Sequence, residues 1–162
     1  MSADAEAVLR CLHTAFAPYR QQYTTDGYQG TVLDAETIHH RLSAMSVLVT
    51  VTPDADVVGT LSTYLVHANT GHLRGMAVIP AFQGRGVARG LIAAAEQQLY
   101  AEGCRRVTLN TTAALQRAMR LYESLGYRRT GHVGEFFGMP LFEYAKELLP
   151  EQRSFDNPQT ST

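Results

Sequence analysis

Cysteine is scarce in this chain: 2 in 162 residues, Cys11 and Cys104, far apart and without metal-ligand spacing. That argues against a disulfide framework and a thiolate metal centre, and leaves both as small core residues in a reducing compartment. Neither sign of charge is in excess. Lys and Arg number 14 against 15 Asp and Glu, for a net charge of −1, so nothing advertises a nucleic-acid partner. No apolar run approaches the roughly 18 residues of a membrane span. The acidic start Met1-Ser2-Ala3-Asp4-Ala5-Glu6 is followed by no export signal, so no membrane partner is expected. What is present is 45% hydrophobic and 18% charged, enough for one core in a soluble, cytoplasmic protein. A single domain over residues 1–149 is expected, with a tail, 150–162, that lacks apolar periodicity and reads as disordered.

Val8, Leu9, Leu12, Ala15 and Phe16 form an apolar stripe at helical spacing, with Asp4 and Glu6 favouring the start and Pro18 the stop. The tyrosine-rich, glycine-punctuated stretch from Arg20 to Gly30 reads as a loop. A short helix should follow Asp34 as N-cap, with Ile38, Leu42 and Met45 on one face. Then the period changes. Val47–Val51, Val57–Val66 and His72–Ile79, separated by Pro53-Asp54-Ala55-Asp56 and His67-Ala68-Asn69-Thr70-Gly71, read as three strands of an antiparallel meander.

After Pro80 helical spacing returns. Val87, Leu91, Ile92, Ala95 and Leu99 share a face, and Gly103 stands where a C-terminal glycine cap belongs. Arg106–Thr111 is the next strand, and such a strand–helix–strand connection leaves its two strands parallel. Ala114, Ala118, Leu121, Tyr122 and Leu125 line another helix ending at Gly126, before strands at Tyr127–His132 and about Leu141–Lys146. The fold class expected is α+β: a mixed, mostly antiparallel sheet flanked by helices, with one central parallel unit.

The most informative stretch is Met76-Ala77-Val78-Ile79-Pro80-Ala81-Phe82-Gln83-Gly84-Arg85-Gly86-Val87-Ala88-Arg89-Gly90. A strand ends at a proline, a short glycine loop follows, and a strong amphipathic helix begins. The first amides of a helix have no intrahelical partners and point along the positive end of its dipole. Gly84 and Gly86 keep side chains out of their way, and Arg85 and Arg89 add positive charge. Physically this is an anion or phosphate cradle, although a helix that merely starts after a glycine turn would share the composition. A dinucleotide fingerprint is excluded, because Arg89 stands at the third glycine position and no carboxylate occurs around Arg106–Asn110. No Gly-Lys-Ser/Thr appears, which excludes a Walker loop.

Gln83-x-x-Gly86-x-Ala88, preceded by Met76-Ala77-Val78-x-Pro80, resembles the (Gln/Arg)-x-x-Gly-x-(Gly/Ala) signature of the GNAT superfamily of acyl-CoA-dependent N-acetyltransferases. Ala118-Met119-Arg120-Leu121-Tyr122-Glu123-Ser124-Leu125-Gly126-Tyr127 resembles that family's second landmark, a helix ending in Leu-Tyr-x-x-x-Gly-Phe/Tyr. The resemblance covers roughly residues 3–148 and implies a splayed sheet, with acetyl-CoA as cosubstrate wedged between the two parallel strands. It implies that the backbone of Met76, Ala77 and Val78 faces the pantetheine and acetyl group. The amides of Gln83, Gly84, Arg85, Gly86, Val87, Ala88 and Arg89 would hold the pyrophosphate. It assigns Tyr122 as the acid that protonates the leaving thiolate, in competition with a core role, since Tyr122 lies on the apolar stripe. The family's first strand, normally ahead of the first helix, has no counterpart beyond a few residues. Where the family often has an asparagine this chain has Leu115, so that coenzyme contact is missing or falls to Asn110.

No general base stands out. His72 is the nearest titratable candidate, against a solvated strand-end role; Glu123 and Glu135 are weaker, and water can serve instead. Arg74 could bind a substrate carboxylate or simply be solvated. The adjacent His39 and His40 point about 100° apart on a helix and make a poor metal site, so no metal is expected. Neither cysteine stands in a nucleophile motif, which favours direct attack over a covalent acyl-enzyme. The expected function is acetyl transfer from acetyl-CoA to a primary amine of a small molecule or peptide. The alternatives are a non-catalytic acyl-CoA-binding or sensing module and a nucleotide-binding regulator. A homodimer is the default among oligomers.

Overall fold

The computed structural model describes residues 1–150; the tail expected at 150–162 lies, from residue 151 on, outside the described residues. Helix α1 (Ala3–Phe16) starts where the Ser2 hydroxyl accepts the Ala5 N–H, and it buries Val8, Leu12, Ala15 and Phe16. Asp34 and Thr37 form a reciprocal capping box at the start of α3 (Ala35–Ala44), which satisfies two otherwise unpartnered donors. The strands β1 (Ser46–Val51), β2 (Val57–His67) and β3 (Thr70–Val78) are the expected antiparallel meander. Helix α4 (Val87–Ala101) returns the chain to β4 (Arg106–Thr111), which lies parallel to β3. Helix α5 (Gln116–Ser124) precedes the hairpin of β5 (Arg128–Phe136) and β6 (Met139–Glu147), and the sheet order is β1-β2-β3-β4-β6-β5. The fold is α+β with one parallel pair. Among the described residues no strand precedes α1.

Side chains alternate across a strand, and β3 uses both faces. Ala77 joins α1 and α3 in one apolar cluster, while Met76 packs against the other, built by α4, α5 and the sheet. Leu99 of α4 is fully buried, and a Cβ added to Gly71 of β3 would lie 2.6 Å from its terminal carbons. Helix and strand are therefore in direct contact there. Leu99→Ala is expected to lower unfolding free energy by ~2–5 kcal/mol through lost transfer energy and a residual cavity. Urea unfolding of the variant against the parent measures this.

Two expectations are corrected. Arg20 to Gly30 is not a loop: a 3-10 turn (Ala17–Gln22) is followed by α2 (Thr25–Val32). Its two glycines and weak periodicity hide it in the sequence. The Thr24 hydroxyl caps it by accepting the Gly27 N–H, and Tyr23 and Tyr28 stack edge-on beside Phe16. Tertiary packing overrides propensity here. The last two strands also run beyond Tyr127–His132 and Leu141–Lys146, because the turn is only Phe137-Gly138, between paired Phe136 and Met139. Both turn residues have positive φ, 47° and 78°, the geometry that matches hairpin twist.

Candidate active site

Beyond Leu73 and Leu109 the two parallel strands part. The β3–β4 ladder pairs Thr70–Leu73 with Arg106–Leu109 and stops. β3 continues to Val78 against β2, and β4 continues to Thr111 against β6. The divergence is assisted by a bulge in β3, where the register against β2 slips between Arg74 and Ala77 and Gly75 adopts φ +65°. Residues 74–78 consequently have no β4 partner, and the sheet opens into a V.

Two cavities meet in that V. The first, about 330 Å³, is bounded by Met76, Ala77 and Val78 of β3, by Gln83, Gly84 and Gly86–Arg89 at the start of α4, and by Arg117, Ala118 and Leu121 of α5. The second, about 250 Å³, lies toward α2, α3 and the β5–β6 hairpin. Phe16, Met76, Leu115 and Tyr122 line both. Tyr122 thus stands at the junction.

At one end of the first cavity the chain turns sharply into α4. Gly84 and Gly86 have φ of +74° and +81°, and Gly86 is the N-cap. Among the described residues, the first N–H of this helix to reach a backbone carbonyl is that of Gly90, which donates to Gly86 O. Amides 84–89 therefore remain available to a ligand. The Gln83 amide is not among them, since it donates to Pro80 O. The Gln83 side chain ties the turn down, donating from Nε2 to Val78 O (3.0 Å) and accepting from Arg117 Nη1 (3.0 Å). Arg89 donates to Ser124 Oγ (3.1 Å), joining α4 to α5. Arg85 lies over the Phe82 ring, 5.0 Å from its centroid, and does not line the cavity.

The Tyr122 ring is buried between Tyr127 and Tyr144, at centroid distances of 6.1 and 6.4 Å. Its hydroxyl points to Met76 Sδ at 3.9 Å, a weak acceptor. Burial, and secondarily the neighbouring Tyr23, push its pKa well above the ordinary phenol value. It holds its proton at any physiological pH.

A model of the acetyltransferase (GNAT) family matches residues 9–127. The chain belongs to that family. Among curated relatives it is 38% identical over 68 residues to an N-acetylaspartate synthetase from Danio rerio, covering 42% of this chain and 24% of that one. It is 32% identical over 85 residues to an N-alpha-acetyltransferase from Arabidopsis thaliana, covering 51% and 44%. The match spans less than half the length of either. Among solved structures, an aminoglycoside 6'-N-acetyltransferase complexed with coenzyme A superposes with a TM-score of 0.68 at 14% identity, over 90% of this chain and 91% of that one. That likeness is one of fold.

In this GNAT chain, Asn110 is exposed on β4 and lines the second cavity, not the first. Glu123 accepts from the Tyr144 hydroxyl (3.0 Å), and neither it nor Glu135 lines either of these two cavities. His39 and His40 are exposed on α3. Sequence reasoning passed over Arg117 and Phe82 at the first cavity, and Arg41, Thr111 and Thr112 in the second. Arg41 carried a signal: it falls three residues after Ile38, on the buried side of α3.

His72 is a further correction. It is buried, 7% exposed, not solvated, with Nδ1 2.7 Å from Thr108 Oγ1. Burial, then Arg74, pull its pKa from 6.5 to about 4, against a weaker upward pull from Glu143. It is therefore neutral near neutral pH and a feeble proton acceptor. Between the two values the unfolded chain binds a proton that the folded GNAT domain does not. Stability should consequently fall as pH drops through that window, by up to about 3 kcal/mol. Urea unfolding across it tests this, and His72→Gln should flatten the slope; an equal slope in the variant would show that other groups cause it.

Proposed function

We propose that the protein transfers an acetyl group from acetyl-CoA to a primary amine of a small molecule or peptide by direct attack. The observation that carries this is the placement of the Tyr122 hydroxyl where two cavities meet, one of them ending on the free amides of α4. Those amides, from Gly84 to Arg89, suit a diphosphate: they converge on positive dipole and no Cβ at Gly84 or Gly86 blocks approach. Arg117 and Arg89 add charge at the rim, while Gln83 acts by fixing the turn. Met76, Ala77 and Val78, which have no β4 partner, would align the pantetheine arm alongside β3. Asn110 would face the acceptor and not the coenzyme.

Tyr122 supplies the proton. As the N–C bond forms and the C–S bond breaks, the phenolic proton passes to sulfur and is replaced from solvent. The proton lost by nitrogen leaves through water in the second cavity, since His72 is too weak a base. The buried free thiols Cys11 and Cys104 suit a reducing, cytoplasmic setting. Calorimetry with acetyl-CoA, ATP and NAD, followed by thiol release over a panel of amines, tests the proposal. Tight acetyl-CoA binding with turnover is expected. Binding without turnover on any amine would leave an acyl-CoA-binding module, and ATP or NAD binding alone a nucleotide-binding regulator.

A further inference from the structure

The second cavity holds a charge that the fold leaves unanswered. Arg41 is 5% exposed and lines the cavity, yet among the described residues its guanidinium makes no hydrogen bond and no ion pair. A guanidinium largely withdrawn from water and left without a partner favours any anion that can reach it. The backbone nevertheless makes room for it. The β3 bulge brings Gly75, at φ +65°, against Arg41 Nη1, and any Cβ there would collide with it. Arg74, the neighbouring residue on β3, is exposed and lines the same cavity. Burial and then the Arg74 charge lower the Arg41 pKa to about 10, so the group stays cationic near neutral pH.

The wall beside the strands repeats the pattern. Thr111 Oγ1 is buried with no partner. Thr112 Oγ1 is buried without a well-formed hydrogen bond, although it lies close enough to the Tyr23 hydroxyl to offset part of that phenol's upward shift. The other charged or titratable groups here are neutral His72 and Glu143, which already accepts from Thr130 Oγ1 (2.8 Å). The cavity lining therefore carries two cations, Arg41 and Arg74, beside Tyr122, and no carboxylate.

We propose that this cavity selects amines that also carry a carboxylate, with Arg41 as the buried anchor and Arg74 as its partner at the mouth. This rests on the acetyl-transfer reading and names its acceptor class: small amino acids. A carboxylate completes a charge-assisted pair with Arg41, while the amine of the same molecule extends toward the junction at Tyr122. The volume of about 250 Å³ suits an acceptor of that size.

The test uses the full chain with saturating acetyl-CoA and the standard L-amino acids, each beside its own carboxamide. For the best acceptor, kcat/KM is expected to favour the free acid by ~10-fold or more, mostly through KM. Arg41→Met should bring that ratio toward one without changing acetyl-CoA affinity. It should also unfold no earlier than the parent when acceptor is absent, because it removes an unpartnered buried charge; a structural arginine would lower the transition. If Arg41→Met fails to fold, Arg74→Gln, at an exposed position, should narrow the ratio. Equal rates on acid and carboxamide throughout, or a ratio that survives both substitutions, would overturn the proposal. If acetyl-CoA binds but no amine turns over, the transfer reading fails, and thermal unfolding of the coenzyme-saturated protein decides the anchor. Stabilisation by acids over carboxamides sustains it, and equal effects overturn it.

Discussion

Tyr122→Phe is expected to lower kcat ~100-fold while leaving both the fold and the affinity for acetyl-CoA nearly unchanged. The substitution keeps the ring, so the packing against Tyr127 and Tyr144 persists. It deletes a hydroxyl whose recorded contact is Met76 Sδ at 3.9 Å, so no strong hydrogen bond is lost and no buried donor is orphaned. Stability should therefore stay level or rise slightly. The hydroxyl matters only when negative charge develops on sulfur, where a phenol held neutral by burial can donate. The loss accordingly falls on kcat, with KM for acetyl-CoA within a few fold. Steady-state thiol release and thermal unfolding on the same samples measure both. A well-folded Phe variant with parental kcat would leave Tyr122 a packing residue, with thiolate departure assisted by water.

Gly86→Val should weaken coenzyme binding at least ~10-fold, about 1.4 kcal/mol. Two physical effects act together. Gly86 has φ +81° at the N-cap of α4, a conformation that costs an L-residue roughly 1–2 kcal/mol and a β-branched one more. A Cβ there meets nothing within 4 Å and Gly86 lines the first cavity, so the new side chain adds bulk beside the turn rather than to the core. The first effect lowers the unfolding temperature by several degrees; the second blocks the ligand. Calorimetry with CoA on the folded variant separates them. Parental affinity in a folded Gly86→Val protein would remove the phosphate-cradle assignment.

The turn proposed as a phosphate cradle could be read from the chain because it is contiguous: the end of β3, the glycine turn and the first turn of α4 lie within residues 76–90. Helix-end physics then fixes what such a segment can bind, whatever surrounds it. Helices α1, α3 and α4 were legible for a similar reason. Each carries its own cap or stripe, as with Ser2, the Asp34–Thr37 box and the Val87–Leu99 face. Helix α2 was not, because its stability comes from Phe16, Met139 and Phe137. The Thr24 hydroxyl donates to Phe137 O, and Met139 closes on Gly27. The burial of His72 was hidden too, since Thr108 of the neighbouring strand holds its ring.

Taken by itself, the sequence determined the α+β class, the antiparallel meander, the parallel step and the glycine turn ahead of α4, since each follows from local periodicity, capping or glycine placement. Only the tertiary structure decided where Tyr122 stands and what its acceptor side looks like. The parting of β3 from β4 makes one cavity wall from strands with an intervening helix, and α2, α3 and the β5–β6 hairpin supply the others. Arg41 shows why most sharply. Its charge is written in the sequence, but its isolation depends on a bulge at Gly75 and on a cavity lining that contains no carboxylate. Burial and desolvation are properties of an enclosed space, and no single stretch of chain encloses one.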